Sequence, residues 1–172
     1  GVCIKLMTEV SKEAVIVTHV RDRYSMKNGR KTGKNEKVKH YLKDNSDFLY
    51  IYEELDQSNS GIIYYYSKDV ATDPNYKNSS LHNWKQPTFG WPIVNSLIRK
   101  QKWPLPYRST IVIPIIPLNS NNQNVANLKG FLCLDSKKTN GFNKDADIEI
   151  LRGLSDEICP LIDRINELSM QK

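Results

Sequence analysis

No apolar run in this chain approaches the roughly 18 residues that a membrane-spanning helix requires, and no signal-peptide pattern opens it. The chain as given reads as soluble, and its expected place is the cytoplasm. Cysteine is scarce: Cys3, Cys133 and Cys159 are odd in number, and two of them sit in apolar stretches, where a cysteine behaves as a small hydrophobe. That usage favours a reducing compartment. His19, His40 and His82 lie far apart and do not pair with cysteines at zinc-finger spacing, so no metal site is expected. A Gly-rich phosphate loop, a nucleophile elbow and a paired-carboxylate motif are all missing, and the chain is not expected to be an enzyme. There are no internal repeats, and no low-complexity tract beyond the Asn-rich turn 119–124.

What is present suits one globular domain. At 172 residues and 39% hydrophobic the chain can bury a single core, and a second domain would have no room. It begins at Gly1 without methionine, in what reads as a helix already under way, which suggests a fragment excised from a longer protein. The net charge of +6 is concentrated. Nine Lys/Arg between Arg21 and Lys43 face only Asp22 and Glu36, a local +7 that leaves the rest of the chain at −1.

Along the chain, residues 2–12 (Val2, Ile4, Leu6, Met7, Val10) read as a first helix and Ala14–Arg23 as a first strand. Asn28-Gly29 and Thr32-Gly33 supply turn chemistry, and Glu36–Lys43 alternates Val38, His40 and Leu42 with lysines as a half-solvated strand. The two strands would pair as an antiparallel hairpin with a long basic loop. Asn45-Ser46-Asp47 starts a helix carrying Phe48, Ile51, Tyr52 and Leu55, and Ile62–Tyr66 is a third strand. Five prolines then punctuate Val70–Pro106, leaving a short helix at Ile93–Lys102. Tyr107–Leu118 and Val125–Asp135 are the last strands, and Phe142–Leu168 is a long amphipathic helix interrupted by Gly153 and Pro160, with a kink expected near Asp156–Cys159. This order gives an α+β layer arrangement with a mainly antiparallel sheet.

The last third carries a resemblance. Ser109-Thr110-Ile111-Val112-Ile113-Pro114-Ile115, then Gly130-Phe131-Leu132-Cys133-Leu134-Asp135, then Phe142 with Asp145 and Asp147, resembles the end of a GAF domain, a small sensor module of signalling proteins. The close match covers about a third of the chain. The resemblance implies a GAF-like (profilin-like) sheet of five to six strands, with the first and last helices on one face and a short helix and irregular flap on the other. It implies a sensory or regulatory role in signal transduction: a small molecule bound under residues 70–108, reported through the terminal helices, with a homodimer formed by those helices.

The flap holds the candidate ligand-binding residues Tyr76, His82, Trp84, Trp91, Trp103 and Arg108, with Phe89, Tyr107 and Lys85 among them. The competing expectation is that the tryptophans only plug the open side of the sheet. Arg21 or Arg23, leaning over the sheet edge, would offer charge to an anionic ligand. The nature of any cofactor is left open. The cyclic-nucleotide signature of the family is matched only loosely by Lys138, Phe142 and Asp145, and Val70–Pro106 holds no cysteine for a covalent bilin. Rival expectations are a ligand-free dimerisation module, a cysteine-based reductase resting on Cys133, and a nucleic-acid binder using the basic loop. The last is disfavoured, because only Tyr24 and Tyr41 interleave the charges.

Overall fold

The computed structural model describes residues 1–33, 39–57, 62–85, 91–117 and 124–170. Six strands form one curled antiparallel sheet, a half-barrel, and four helices accompany it in an α+β fold. The strands are β1 (Val2–Met7), β2 (Val15–Arg21), β3 (His40–Tyr41), β4 (Tyr65–Ser67), β5 (Ser109–Ile115) and β6 (Gly130–Ser136), in spatial order β3-β2-β1-β6-β5-β4. The helices are α1 (Arg23–Lys27), α2 (Ser46–Asp56), α3 (Pro92–Gln101) and α4 (Lys144–Met170).

Two hairpins make the sheet. β1 and β2 pair through the turn at residues 8–14, and β5 and β6 pair from Ser109↔Ser136 to Ile115↔Gly130. The last strand then returns to lie beside the first, Val2↔Leu134 through Leu6↔Gly130, so both hairpins share one core. Gly130 is required at that seam, because a Cβ there would sit 2.1 Å from the carbonyl oxygen of Lys5. The edge strands β3 and β4 are short, which limits exposed pairing surface.

The helix expected over residues 2–12 is instead strand β1 followed by the turn into β2. Val2, Ile4, Leu6, Met7 and Val10 satisfy a helical spacing in part, but Val2, Ile4 and Leu6 also alternate with Cys3 and Lys5. Pairing to strands on both sides fixes the period of two. Ile4 and Leu6 face α4, and Cys3 faces the opposite core. The expected layering changes with it: α4 covers one face without a companion first helix.

That face packs Ile111, Ile113, Ile115 and Leu132 against Ile148, Leu151, Cys159 and Ile162. Ser155, also buried, donates from Oγ to the carbonyl oxygen of Pro114 at 2.8 Å. Pro114 is tolerated in β5 because β4 pairs only as far as Val112, leaving the strand locally an edge on that side. The helix runs through Pro160 to Met170. On the other face Phe48, Ile51, Tyr52 and Leu55 of α2 pack on Cys3, Ile16, Phe131 and Cys133, with the Phe48 and Phe131 rings 4.7 Å apart.

Of the other expected elements, α2 and the closing helix fall where expected. The strand expected at Ile62–Tyr66 is instead β4 at Tyr65–Ser67, and the start of the strand expected at Val125–Asp135 is a short helical turn at Val125–Asn127. Among the described residues, the strand expected at Glu36–Lys43 is only the two-residue β3. The β2–β3 hairpin forms with Val15↔Tyr41 and Ile16↔His40, although its loop carries the short helix α1, capped by Asp22 accepting from the Ser25 amide at 2.9 Å. The part of the second expected strand at residues 36–38 lies outside the described residues. Gly29 (φ +82°) and Gly33 (φ +54°) take the left-handed backbone that their turns need. The short helix in the proline-rich segment is α3, with Pro92 opening it.

Candidate functional site

The curl of the sheet leaves a cavity of about 370 Å³ on the α2 face. Its floor comes from alternate residues of three strands: Cys3 and Lys5 of β1, Cys133 and Asp135 of β6, Thr110 and Val112 of β5. Asp47 and Phe48 at the start of α2 form one wall. Arg21 at the end of β2 and the loop residues Gly29–Lys31 form another, and Pro104–Tyr107 close a third side.

Four Lys/Arg, namely Lys5, Arg21, Arg30 and Lys31, stand in this lining against the carboxylates Asp47 and Asp135. Lys5 and Arg21 are only 7% and 8% exposed, so their charges lie within the fold rather than in bulk water. Lys5 Nζ donates to Thr18 Oγ1 at 2.8 Å and lies 5.9 Å from the centre of the Phe48 ring. Arg21 donates to the same Thr18 Oγ1 and to the Lys31 carbonyl oxygen. Arg30 makes a 3.0 Å ion pair with Asp135, whose other oxygen accepts from Thr110 Oγ1 at 3.1 Å. Burial works against the Arg30 charge, but Asp135 more than offsets it and holds the guanidinium above its ordinary value.

The second carboxylate is different. Asp47 is buried at the N-terminus of α2, and desolvation, reinforced by the charge of Asp135, raises its pKa to about 6. Its Oδ2 accepts from the Tyr76 hydroxyl at 3.3 Å, and that hydroxyl lies 3.1 Å from the one on Tyr107. Asn78 Nδ2 donates to the Tyr107 oxygen at 3.2 Å. Burial raises the pKa of both tyrosines, so the phenols stay protonated. Asn45 holds this region together: its side chain bonds the Tyr41 carbonyl oxygen at 2.5 Å, Ser79 Oγ at 2.8 Å and the Ser79 amide at 3.1 Å.

The six flap residues expected to bind ligand occupy three different places. Tyr76, His82 and Trp84 line a separate groove with Lys39, Tyr41 and Asp44. Trp103 stacks edge-on to Trp84 at 5.4 Å and lies 6.2 Å from the Tyr76 ring, and the Arg99 guanidinium carbon sits 5.6 and 5.2 Å from the two indole centres. This is a packed aromatic and cationic plug that ties α3 to a small core of Val70, Tyr76, Leu81 and Tyr107. Arg108 forms a bidentate pair with Asp69 at 2.8 and 2.7 Å, pinning the start of the flap to the entry of β5. Trp91 is 75% exposed, and Phe89 lies outside the described residues.

Of the lining of the cavity over β1, β5 and β6, the sequence singles out Arg21, Tyr107, Cys133 and the basic segment that holds Arg30 and Lys31; Arg23 points to solvent. Lys5, between Ile4 and Leu6, carried a usable signal: a lysine in an apolar alternation faces inward once its segment is read as a strand. Asp47 carried none, since an acidic residue in the first turn of a helix is ordinary. Comparison with models of protein families, with curated proteins and with solved structures found no match.

Proposed function

We propose that this chain is a non-catalytic sensory or regulatory domain that binds a small anionic molecule in the cavity over β1, β5 and β6. One observation carries this reading: Lys5, Arg21, Arg30 and Lys31 converge on a concave space of about 370 Å³, the lower end of the size that small-ligand pockets occupy. Hydroxyl and amide groups of Thr110, Ser80, Asn78 and Tyr107 stand around them to orient a ligand. A binding role is favoured over catalysis because the wall carboxylates are engaged within the wall, Asp135 by Arg30 and Thr110, and Asp47 by Tyr76.

The finer fold in this proposal is that of a GAF domain. Supporting it are the adjacent β5 and β6, the proline within β5, the acidic residue near the end of β6, and Phe142 leading into a long closing helix. Free buried cysteines are in keeping with a cytoplasmic setting. No helix among the described residues is long and apolar enough to cross a membrane.

The test is a thermal shift and calorimetric titration of the chain with a panel of mono- and dicarboxylates, inorganic phosphate and nucleotides, repeated on Lys5→Met. A true ligand at a hundredfold excess over Kd stabilises by about 2.7 kcal/mol, which for a domain of this size raises Tm by roughly 5 to 10 °C. Lys5→Met should abolish that shift. A flat response to every anion at millimolar concentration overturns the proposal.

A second reading, association with another copy through the closing helix, has its own observation. Ile150, Leu154, Leu161 and Ile165 recur at spacings of four, seven and four on the outer side of α4, and all are about half exposed or more. Sedimentation of the chain and of a Leu154→Glu, Leu161→Glu double variant tests it: a dimer that the substitutions convert to monomer supports the reading, and a monomeric parent ends it.

A further inference from the structure

Cys3 and Cys133 are direct partners across the β1–β6 seam. Gly1 and Asp135, two residues further along the same ladder, exchange both backbone hydrogen bonds at 2.6 and 2.7 Å. The cysteine pair therefore stands at the same kind of hydrogen-bonded position, its two side chains on one face of the sheet. Both thiols are free, 3% and 4% exposed, and both belong to the floor of the cavity described above. The pairing sets the two thiols side by side on that floor.

The surroundings of the two are not equal. Lys5 lies two residues from Cys3 on the same face of β1, and Arg21 is the partner of Cys3 on β2. The neighbouring Cys133 thiol and the two cations favour a thiolate at Cys3, so this thiol is held below its ordinary value although burial opposes it. Burial first, and then the neighbouring Cys3, push the Cys133 thiol upward. One cysteine is thus disposed to attack and the other to remain protonated beside it. Cys159 belongs to α4 on the opposite face of the sheet and does not join them.

We propose that Cys3 and Cys133 form a reversible redox-modification site, in which a peroxide entering the cavity is reduced and the two sulfurs join across the β1–β6 seam. The Cys3 thiolate attacks the terminal oxygen of the hydroperoxide; the O–O bond breaks, the leaving oxygen departs as water or an alcohol after taking a proton, and Cys3 becomes a sulfenic acid. The Cys133 thiol then gives up its proton, its sulfur attacks the Cys3 sulfur, and the hydroxyl leaves as water. The peroxide gains two electrons and the two thiols lose them. A dithiol reductant returns the pair to its starting state.

Strand geometry makes the product labile. Cβ atoms at a hydrogen-bonded antiparallel position lie about 5.5 Å apart, whereas a relaxed disulfide holds them at about 3.8 Å. The two central strands must draw together to close the bond, and a strained bond of this kind is readily reduced. That suits a signal in a reducing compartment better than a structural staple. The site does not depend on which molecule the cavity otherwise binds.

The experiment exposes the reduced chain, in wild-type and Cys159→Ser forms, to stoichiometric hydrogen peroxide, followed by denaturing alkylation, intact mass and non-reducing peptide mapping. In Cys159→Ser we expect loss of both alkylatable thiols, a mass decrease of two hydrogens, a Cys3–Cys133 linked peptide and full recovery with dithiothreitol. In Cys133→Ser a sulfenic acid should accumulate on Cys3, captured by dimedone, and Cys3→Ser should show neither product. The proposal is overturned if both thiols survive a peroxide dose that oxidises free cysteine, if the linked peptide joins Cys159 or two chains, or if dimedone marks Cys133 first. Because the wild-type linkage map needs no substitution in the pair, a variant that does not fold leaves the decision intact.

Discussion

Replacing Asp47 by asparagine tests the electrostatics of the cavity wall with one atom changed. In the folded chain burial raises the Asp47 carboxyl from its ordinary 3.8 to about 6. Two units of differential proton affinity correspond to about 3 kcal/mol. Between these values the folded state holds the proton and the unfolded state has lost it, so unfolding releases a proton and stability falls as pH rises from about 4 to about 6. Above the upper value the folded state carries the ionised group and the cost is complete. Asp47 therefore opposes folding at neutral pH, and Asp47→Asn should stabilise the chain there by up to about 3 kcal/mol while changing little at pH 4. The amide can still accept from the Phe48 amide, as Oδ1 does at 3.0 Å, and can donate to the Tyr76 oxygen that now donates to Asp47. Urea unfolding of both proteins at steps across this range, analysed as the difference between them, cancels the groups they share. Curves that run parallel throughout would refute the reasoning, because a constant offset contains no proton.

Three further substitutions probe the framework. Gly130→Ala drives a methyl group into the Lys5 carbonyl and should cost about 1–3 kcal/mol in urea unfolding, with larger side chains failing to fold. Asn45→Ala removes all three of its bonds at once and strands the Ser79 amide and the Tyr41 carbonyl; a loss of about 2–4 kcal/mol is expected, with hydrogen exchange at Ser79 accelerated before the sheet amides. Ser155→Ala leaves the buried Pro114 carbonyl without the hydroxyl that reaches it and should cost about 1–2 kcal/mol by the same measurement, without altering oxidation of the Cys3–Cys133 pair.

The elements that periodicity revealed are those whose pattern admits one period only. Ser109–Ile115 is apolar on both faces because α4 lies behind it and the α2 core in front, and such a run bounded by turn residues has few readings other than an interior strand. Phe48, Ile51, Tyr52 and Leu55 suit a helix and no strand, and α2 is found there. Residues 2–7 failed because their few apolar residues obey both periods, and only the register against β2 and β6 decides between them. Long-range pairing of that kind leaves no mark in a window of six residues.

The candidate site was hidden for the same reason. Lys5, Arg21, Thr110 and Asp135 are scattered over four strands, and they converge only because β6 returns beside β1, a topological fact with no local signature. The concentration of tryptophan in the flap drew attention to a segment in which Trp84 and Trp103 are spent on packing Arg99 and on holding α3 to the small core, while Trp91 is exposed. The charge imbalance was the better guide. The excess of lysine and arginine between Arg21 and Lys43 does not all lie in a solvated loop, since Arg21, Arg30 and Lys31 turn back over the sheet and meet Lys5 at its centre. A segment with that much like charge raises the local potential wherever it lies. Folding part of it over a concave sheet face, with only Asp47 and Asp135 as carboxylates in the described lining, directs that potential into a space of ligand size.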